Sequence, residues 1–182
     1  MADKKTSVFG IYSSVTQAEV AVDELVDAGF SNADVSVLMA DKQGSKDFAH
    51  EKNTKAPEGT TTGVAAGGAI GGTLGLLAGI GALAIPGVGP LIAAGPIMGT
   101  LAGMGAGGAV GGIIGALVGL GIPEYEAKRY EGRIKDGGVL LSVHCNTSNE
   151  IDRAKEGLKR SGAQDISSTS ESSAKYPAQS RA

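Results

Sequence analysis

The sequence predicts an α+β fold, a ferredoxin-like sandwich of two β-α-β units with a glycine-rich helical hairpin inserted between them. Three observations carry this. Two charged flanks each read strand, helix, strand, and each helix carries a Thr-x-x-Glu box, Thr16 to Glu19 and Thr147 to Glu150. Between them runs a stretch of 65 residues, 59–123, without Asp, Glu, Lys, Arg or His. Of the 30 glycines in the chain, 22 lie there, most of them at four-residue intervals.

The first half of the α/β domain spans 6–40. Val8, Phe9 and Ile11 are β-formers in partial alternation, and Ala18, Ala21, Val22, Leu25 and Val26 then recur at helical spacing. Gly29 stands where a helix C-terminus needs positive φ. Val35, Val37 and Met39 alternate as a half-buried strand. Residues 41–58 are polar and read as a linker. The second half spans 137–169: a β-prone run from Val139 to Cys145, a helix through Ile151, Ala154 and Leu158 that stops at Gly162, and a weaker strand from about Asp165 to Thr169. The expected architecture is a four-stranded antiparallel sheet with two helices on one face. Ahead of this half, 123–136 reads as an amphipathic helix with Pro123 at its first position, Ala127, Tyr130 and Ile134 on one face, and Glu131 paired with Lys135. Its charged face places it in water or at an interface. The tail, 170–182, is Ser-rich and expected to be disordered.

The central segment, 59–122, is an internal repeat. Ala66 to Gly75 matches Ala106 to Gly115 at an offset of 40 residues. Gly63, Gly67, Gly71, Gly75 and Gly79 form one series, and Gly95, Gly99, Gly103, Gly107, Gly111, Gly115 and Gly119 the other. Only a helix brings every fourth residue to one face, so helices are expected over about 63–85 and 97–122, with a turn at Pro86 to Pro90. Stripes of this kind let helices pack closely, and these glycines, apart from Gly95, are the candidate self-association residues. In water they lower helix propensity by on the order of 15 kcal/mol in total. In lipid, helix is the way to satisfy backbone amides, and a 23-residue helix is about 34 Å long, enough for a bilayer core. Two spans return the chain to one side, and the cations at Lys52, Lys55, Lys128, Arg129, Arg133 and Lys135 place that side in the cytoplasm. The alternative occupant of the groove is another protein chain, with the hairpins buried in the shared core of a soluble homo-oligomer.

Several chemistries lack support. A net charge of −3 calls for no nucleic acid. The single cysteine, Cys145, allows no internal disulfide, and the polar start, Met1 to Lys5, leads into no secretory h-region. Gly103 to Gly108 resembles a dinucleotide loop only loosely, with no preceding strand or acidic partner. His144 and Cys145 are strand neighbours and therefore point to opposite faces, which makes them a poor ligand pair or thiol–base pair. His50 lies among linker charges, and Asp23, Glu24 and Asp27 read as the wet face of a helix. No catalytic or metal-binding residues, cofactor or small-molecule substrate are identified.

The order of features resembles that of bacterial general stress and low-temperature-induced proteins. The resemblance lies in Val8 to Tyr12 with Ala18-Glu19, in Leu25 to Phe30 and Val35 to Val37, in Ala84 to Pro90, in Gly119 to Glu124 with Tyr130, and in Gly137 to Val143. It covers about residues 7–166 and implies a stress-associated, often membrane-associated protein, without supplying catalytic residues. The expectation is a non-enzymatic stress-response protein at the inner membrane, self-associating through its glycine stripes, with a cytoplasmic α/β domain for interaction or sensing. The alternatives are the soluble assembly protein and a pore-forming or membrane-remodelling hairpin. Thr73 and Thr100 are the polar side chains available inside the stripes, which gives an ion pathway little to use.

Overall fold

The structure, a computed structural model, describes residues 5–40, 81–85, 89–95, 97 and 112–170. These form an α+β fold of six strands and four helices: β1 (Thr6–Tyr12), α1 (Val15–Asp27), β2 (Val35–Ala40), β3 (Gly81–Ile85), β4 (Gly89–Ala94), α2 (Gly112–Gly119), α3 (Glu124–Lys135), β5 (Val139–Cys145), α4 (Ser148–Arg160) and β6 (Gln164–Ser170). The strands make one antiparallel sheet in the order β3-β4-β2-β5-β1-β6. The linker 41–58, the glycine-stripe residues 59–80 and 98–111, and the tail beyond Ser170 lie outside the described residues.

The flanks fold as their patterns predict, with small shifts at the helix starts. Thr147 caps α4 by accepting from the Glu150 amide at 3.2 Å, and the Glu150 carboxylate accepts in return from the Thr147 amide. Helix α1 begins earlier than the Thr16 box implies. Ser14 is the cap, accepting from Gln17 N at 3.3 Å, while the Gln17 side chain accepts from Ser13 N. Ser14 thus caps the helix two residues upstream, with Gln17 reaching the Ser13 amide instead of the cap's own, and Thr16 becomes an ordinary helical residue. Pro123 is the N-cap of α3, one position before the one expected of it. Gly29 (φ +92°) and Gly162 (φ +86°) end α1 and α4 in the left-handed conformation expected there.

Two larger expectations need correction. Residues 81–85 are a strand and not the end of a helix over 63–85, and Gly89–Ala94 is a strand whose first two residues were expected in the turn Pro86 to Pro90. Strand β4 lies against β2, with Met39 opposite Ile92 and Leu38 opposite Ala93, and β3 folds back on β4. Backbone pairing explains this: in its absence the edge of β2, a buried strand, would be left with unpaired amides and carbonyls. Of the second expected helix, 97–122, the described helical part is Gly112–Gly119, and Gly121 (φ +91°) turns the chain into α3.

Helices also cover both faces of the sheet instead of one. On the first face α1 and α4 bury Ala18, Ala21, Val22, Leu25, Ala154 and Leu158 against Val8, Val35, Val37, Leu141 and Val143. On the second face α2 and α3 bury Ile113, Ala116, Leu117, Ala127, Tyr130 and Ile134 against Phe9, Ile11, Leu38, Leu91 and Leu140. Helix α3 therefore turns its charged side, together with Tyr125, to water, where Lys128–Glu124 (2.7 Å) and Lys135–Glu131 (3.2 Å) bridge successive turns. Strands β2 and β5 sit between two apolar layers, as their near-continuous hydrophobic runs require.

Candidate functional site

The glycines expected to mediate self-association divide sharply. Gly63, Gly67, Gly71, Gly75, Gly79, Gly99, Gly103, Gly107 and Gly111 lie outside the described residues. Gly115 and Gly119 lie on α2, half-buried and exposed respectively. Gly95, at the head of the second series, does a different job. Its φ is +78°, and a Cβ there would sit 2.3 Å from the Val35 carbonyl oxygen and 2.8 Å from Ser36 Cα. The chain leaving β4 is thus pressed against β2, and Ile97 N donates to the buried Ser36 hydroxyl at 3.2 Å. Close backbone approach, not helix packing, is what glycine provides at this position.

Two clefts collect polar groups. The larger, about 450 Å³, lies between the C-terminal ends of α1 and α4, and its described lining is Glu24, Asp27, Ala28 and Arg160. Glu24 Oε2 is 3.5 Å from Arg160 Nε, an ion pair too poorly aligned to be a hydrogen bond. Beneath it, Arg153 donates to the Ala28 carbonyl at 2.8 Å and stacks over Phe30 with 5.4 Å to the ring centroid. Tyr12, 2% exposed, shares a hydrogen bond of 2.8 Å with Ser161. Burial pushes its phenol up to about 12, opposed by the Ser161 hydrogen bond and helped by the charge of Glu24. A phenol held neutral in this way is a structural hydrogen-bonding group and not a nucleophile.

That shift has a consequence for stability. An unfolded tyrosine ionises near its model value of 10. Below that pH, Tyr12 is neutral in both states and the fold keeps its full stability. Above it the unfolded chain ionises first, so stability falls as pH rises through 10 toward about 12. The loss expected from Tyr12 is about 3 kcal/mol. Tyr130, also pushed up by burial, adds to it. Urea midpoints at successive pH values should fall steeply over this window, and Tyr12→Phe should flatten the fall.

The smaller notch, about 150 Å³, separates α3 from β6 and is lined by Glu126, Arg129, Tyr130, Asp165, Ile166 and Ser167. Asp165 holds a left-handed backbone (φ +49°), rare for a non-glycine residue, at a bulge in the β1–β6 ladder. Helix α3 holds it there. Arg129 pairs with its carboxylate at 2.8 Å, and the Tyr130 hydroxyl donates to its carbonyl while bonding Ser167 Oγ at 3.0 Å. Thr169 donates to the Gly121 carbonyl at 2.7 Å and adds a second tie. Sequence reading singled out Tyr130 as a helix-face residue but missed this latch, because nothing local to Asp165 marks its backbone as unusual.

Cys145 is buried in the first core and His144 is half-buried on the other side of the strand, so the two diverge as expected. Among the described residues no three of His, Cys, Asp and Glu gather as metal ligands, and no helix is long and apolar enough to cross a membrane. Compared with known proteins, the chain matches no family model, no curated protein sequence and no solved structure.

Proposed function

We propose that this chain is a non-enzymatic, self-associating stress-response protein. In this reading the sheet is the rigid interaction module, and the glycine-rich stretches 59–80 and 98–111 pack between copies in a shared core. Strands β1, β2, β5 and β6 with α1 and α4 then make a ferredoxin-like unit, since the order β2-β5-β1-β6 is that of two interlocked β-α-β units, and β3–β4 extends it along one edge. The stress-response part rests on the sequence resemblance alone.

The observation that carries the reading is length. Residues 41–80 leave the sheet at β2 and return to it at β3, so any bilayer crossing among them must be made twice. Two helical crossings take about 40 apolar residues. The charge-free part of this connection is 59–80, which is 22 residues, and the other connection, 98–111, has 14. These lengths favour glycine stripes that pack against protein over a hairpin through lipid. The exposure of Val118 (42%) and Tyr125 (64%), near Lys128 and Arg129, favours a second reading, in which α2 and α3 rest on lipid headgroups without spanning.

Sedimentation followed by light scattering separates the readings. Purified without detergent, the chain is expected to remain in the supernatant as an oligomer, and Gly111→Leu combined with Gly115→Leu is expected to shift it toward monomer. Pelleting that only detergent reverses, or a monomer at every concentration, would sink the proposal.

A further inference from the structure

The sheet has two edges, and the chain treats them differently. Strand β6 is protected as edge strands usually are. It is bulged at Asp165, its Asp165 carbonyl and Ser167 hydroxyl bond Tyr130, its Thr169 hydroxyl donates to the Gly121 carbonyl, and Arg129 pairs with the Asp165 carboxylate. Among the described residues none of these devices meets strand β3, Gly81-Ala82-Leu83-Ala84-Ile85. It carries no charge, proline or bulge, and among the described residues only β4 pairs with it.

The register fixes which groups the open edge presents. Ala84 faces Pro90, which has no N–H to give, so Ala84–Pro90 falls naturally at a non-hydrogen-bonded pair of the ladder. Alternation then directs the N–H and C=O groups of Ala82 and Ala84 away from β4. We infer that this edge pairs antiparallel with β3 of a second copy about a two-fold axis at Leu83, which joins two six-stranded sheets into one. Two-fold symmetry requires identical strands to run antiparallel. With the axis at Leu83, Ala82 meets Ala84 of the second copy, and the outward groups of both strands are satisfied reciprocally. Charge favours the same occupant: self-pairing of an uncharged strand brings no like charges together, and the strand has nothing with which to select an acidic or basic peptide. A five-residue edge is small as an interface, so this pairing rests on the self-association proposed above.

Sedimentation equilibrium on the full chain tests it. Ala82→Pro removes an outward donor, and Ala84→Lys sets a charge at the seam. Each is expected to weaken association by about tenfold or more at an unchanged circular dichroism spectrum. As a second measurement, Leu83→Cys is expected to be trapped by oxidation as a covalent dimer, because the two Leu83 positions would face each other across a narrow pair. Ser168→Cys, on the protected edge, is expected to stay uncrosslinked. Edge variants as oligomeric as the parent, or no covalent dimer from Leu83→Cys, would overturn the strand pairing while leaving self-association standing. A parent chain that is monomeric throughout would overturn both.

Discussion

Gly95→Ala is expected to destabilise the fold by about 3 kcal/mol or more. Two costs add. The residue holds φ at +78°, where a side chain is strained. Its new Cβ would stand 2.3 Å from the Val35 carbonyl oxygen, and a backbone atom inside a sheet has nowhere to move. Relief therefore requires the chain after β4 to lift from β2, which also breaks the Ile97–Ser36 hydrogen bond. Gly132 provides the contrast. It sits in α3 with nothing within 4 Å of an added Cβ, so Gly132→Ala should stabilise the protein by about 0.5–1 kcal/mol. Urea denaturation of the two variants should thus give midpoint shifts of opposite sign. Equal and small shifts would mean that the β4 exit does not press on β2 as described.

Tyr130→Ala is expected to cost about 3–5 kcal/mol, the range for removing a large buried aromatic side chain. Tyr130 is 1% exposed and packs in the second core with Ala127, Ile134 and Phe9, so its loss opens a cavity under α3. It also releases the Asp165 carbonyl and Ser167. Tyr130→Phe keeps the ring and separates the two contributions, with about 1–2 kcal/mol expected for the hydroxyl. Amide exchange localises the effect. Tyr130→Phe should accelerate exchange along β6 more than along β5, because β6 pairs with one strand only, β1, and the Tyr130 hydroxyl ties it to α3.

Much of the flanking fold was legible because its signals are local. The Thr147 box, the left-handed glycines at 29 and 162, the alternation in β2 and the Glu131–Lys135 pair all lie within a few residues of their effects. What escaped was non-local. Phe9, Ile11, Leu38 and Leu140 point to the face opposite the first core, and their bulk already asked for a second covering layer. The apolar stripe of α3 was the cover, but spacing along one helix does not say which sheet face it meets. The glycine period misled in a specific way. It ends at Gly79 and resumes at Gly95, so residues 81–94 were never part of a stripe. Their lack of charge, shared with their neighbours, reads as a continuation of the hairpin, with 81–85 as helix and 86–90 as turn. That same lack suits strands flanked by two apolar layers, and pairing with β2 decides between the two. Of the candidate glycines among the described residues, Gly115 is half-buried on a helix and Gly119 is exposed.

The central claim is that Gly81–Ile85 and Gly89–Ala94 of the charge-free segment pair into the sheet without needing lipid. Hydrogen exchange at the β4 amides, in detergent-free and lipid-free buffer, tests it most directly. The account predicts that Ile92 and Ala93 exchange slowly, on the scale of Leu38 in β2 and Leu140 in β5, and that adding vesicles leaves them unchanged. Fast exchange at Ile92 and Ala93 that becomes slow only with vesicles would contradict it.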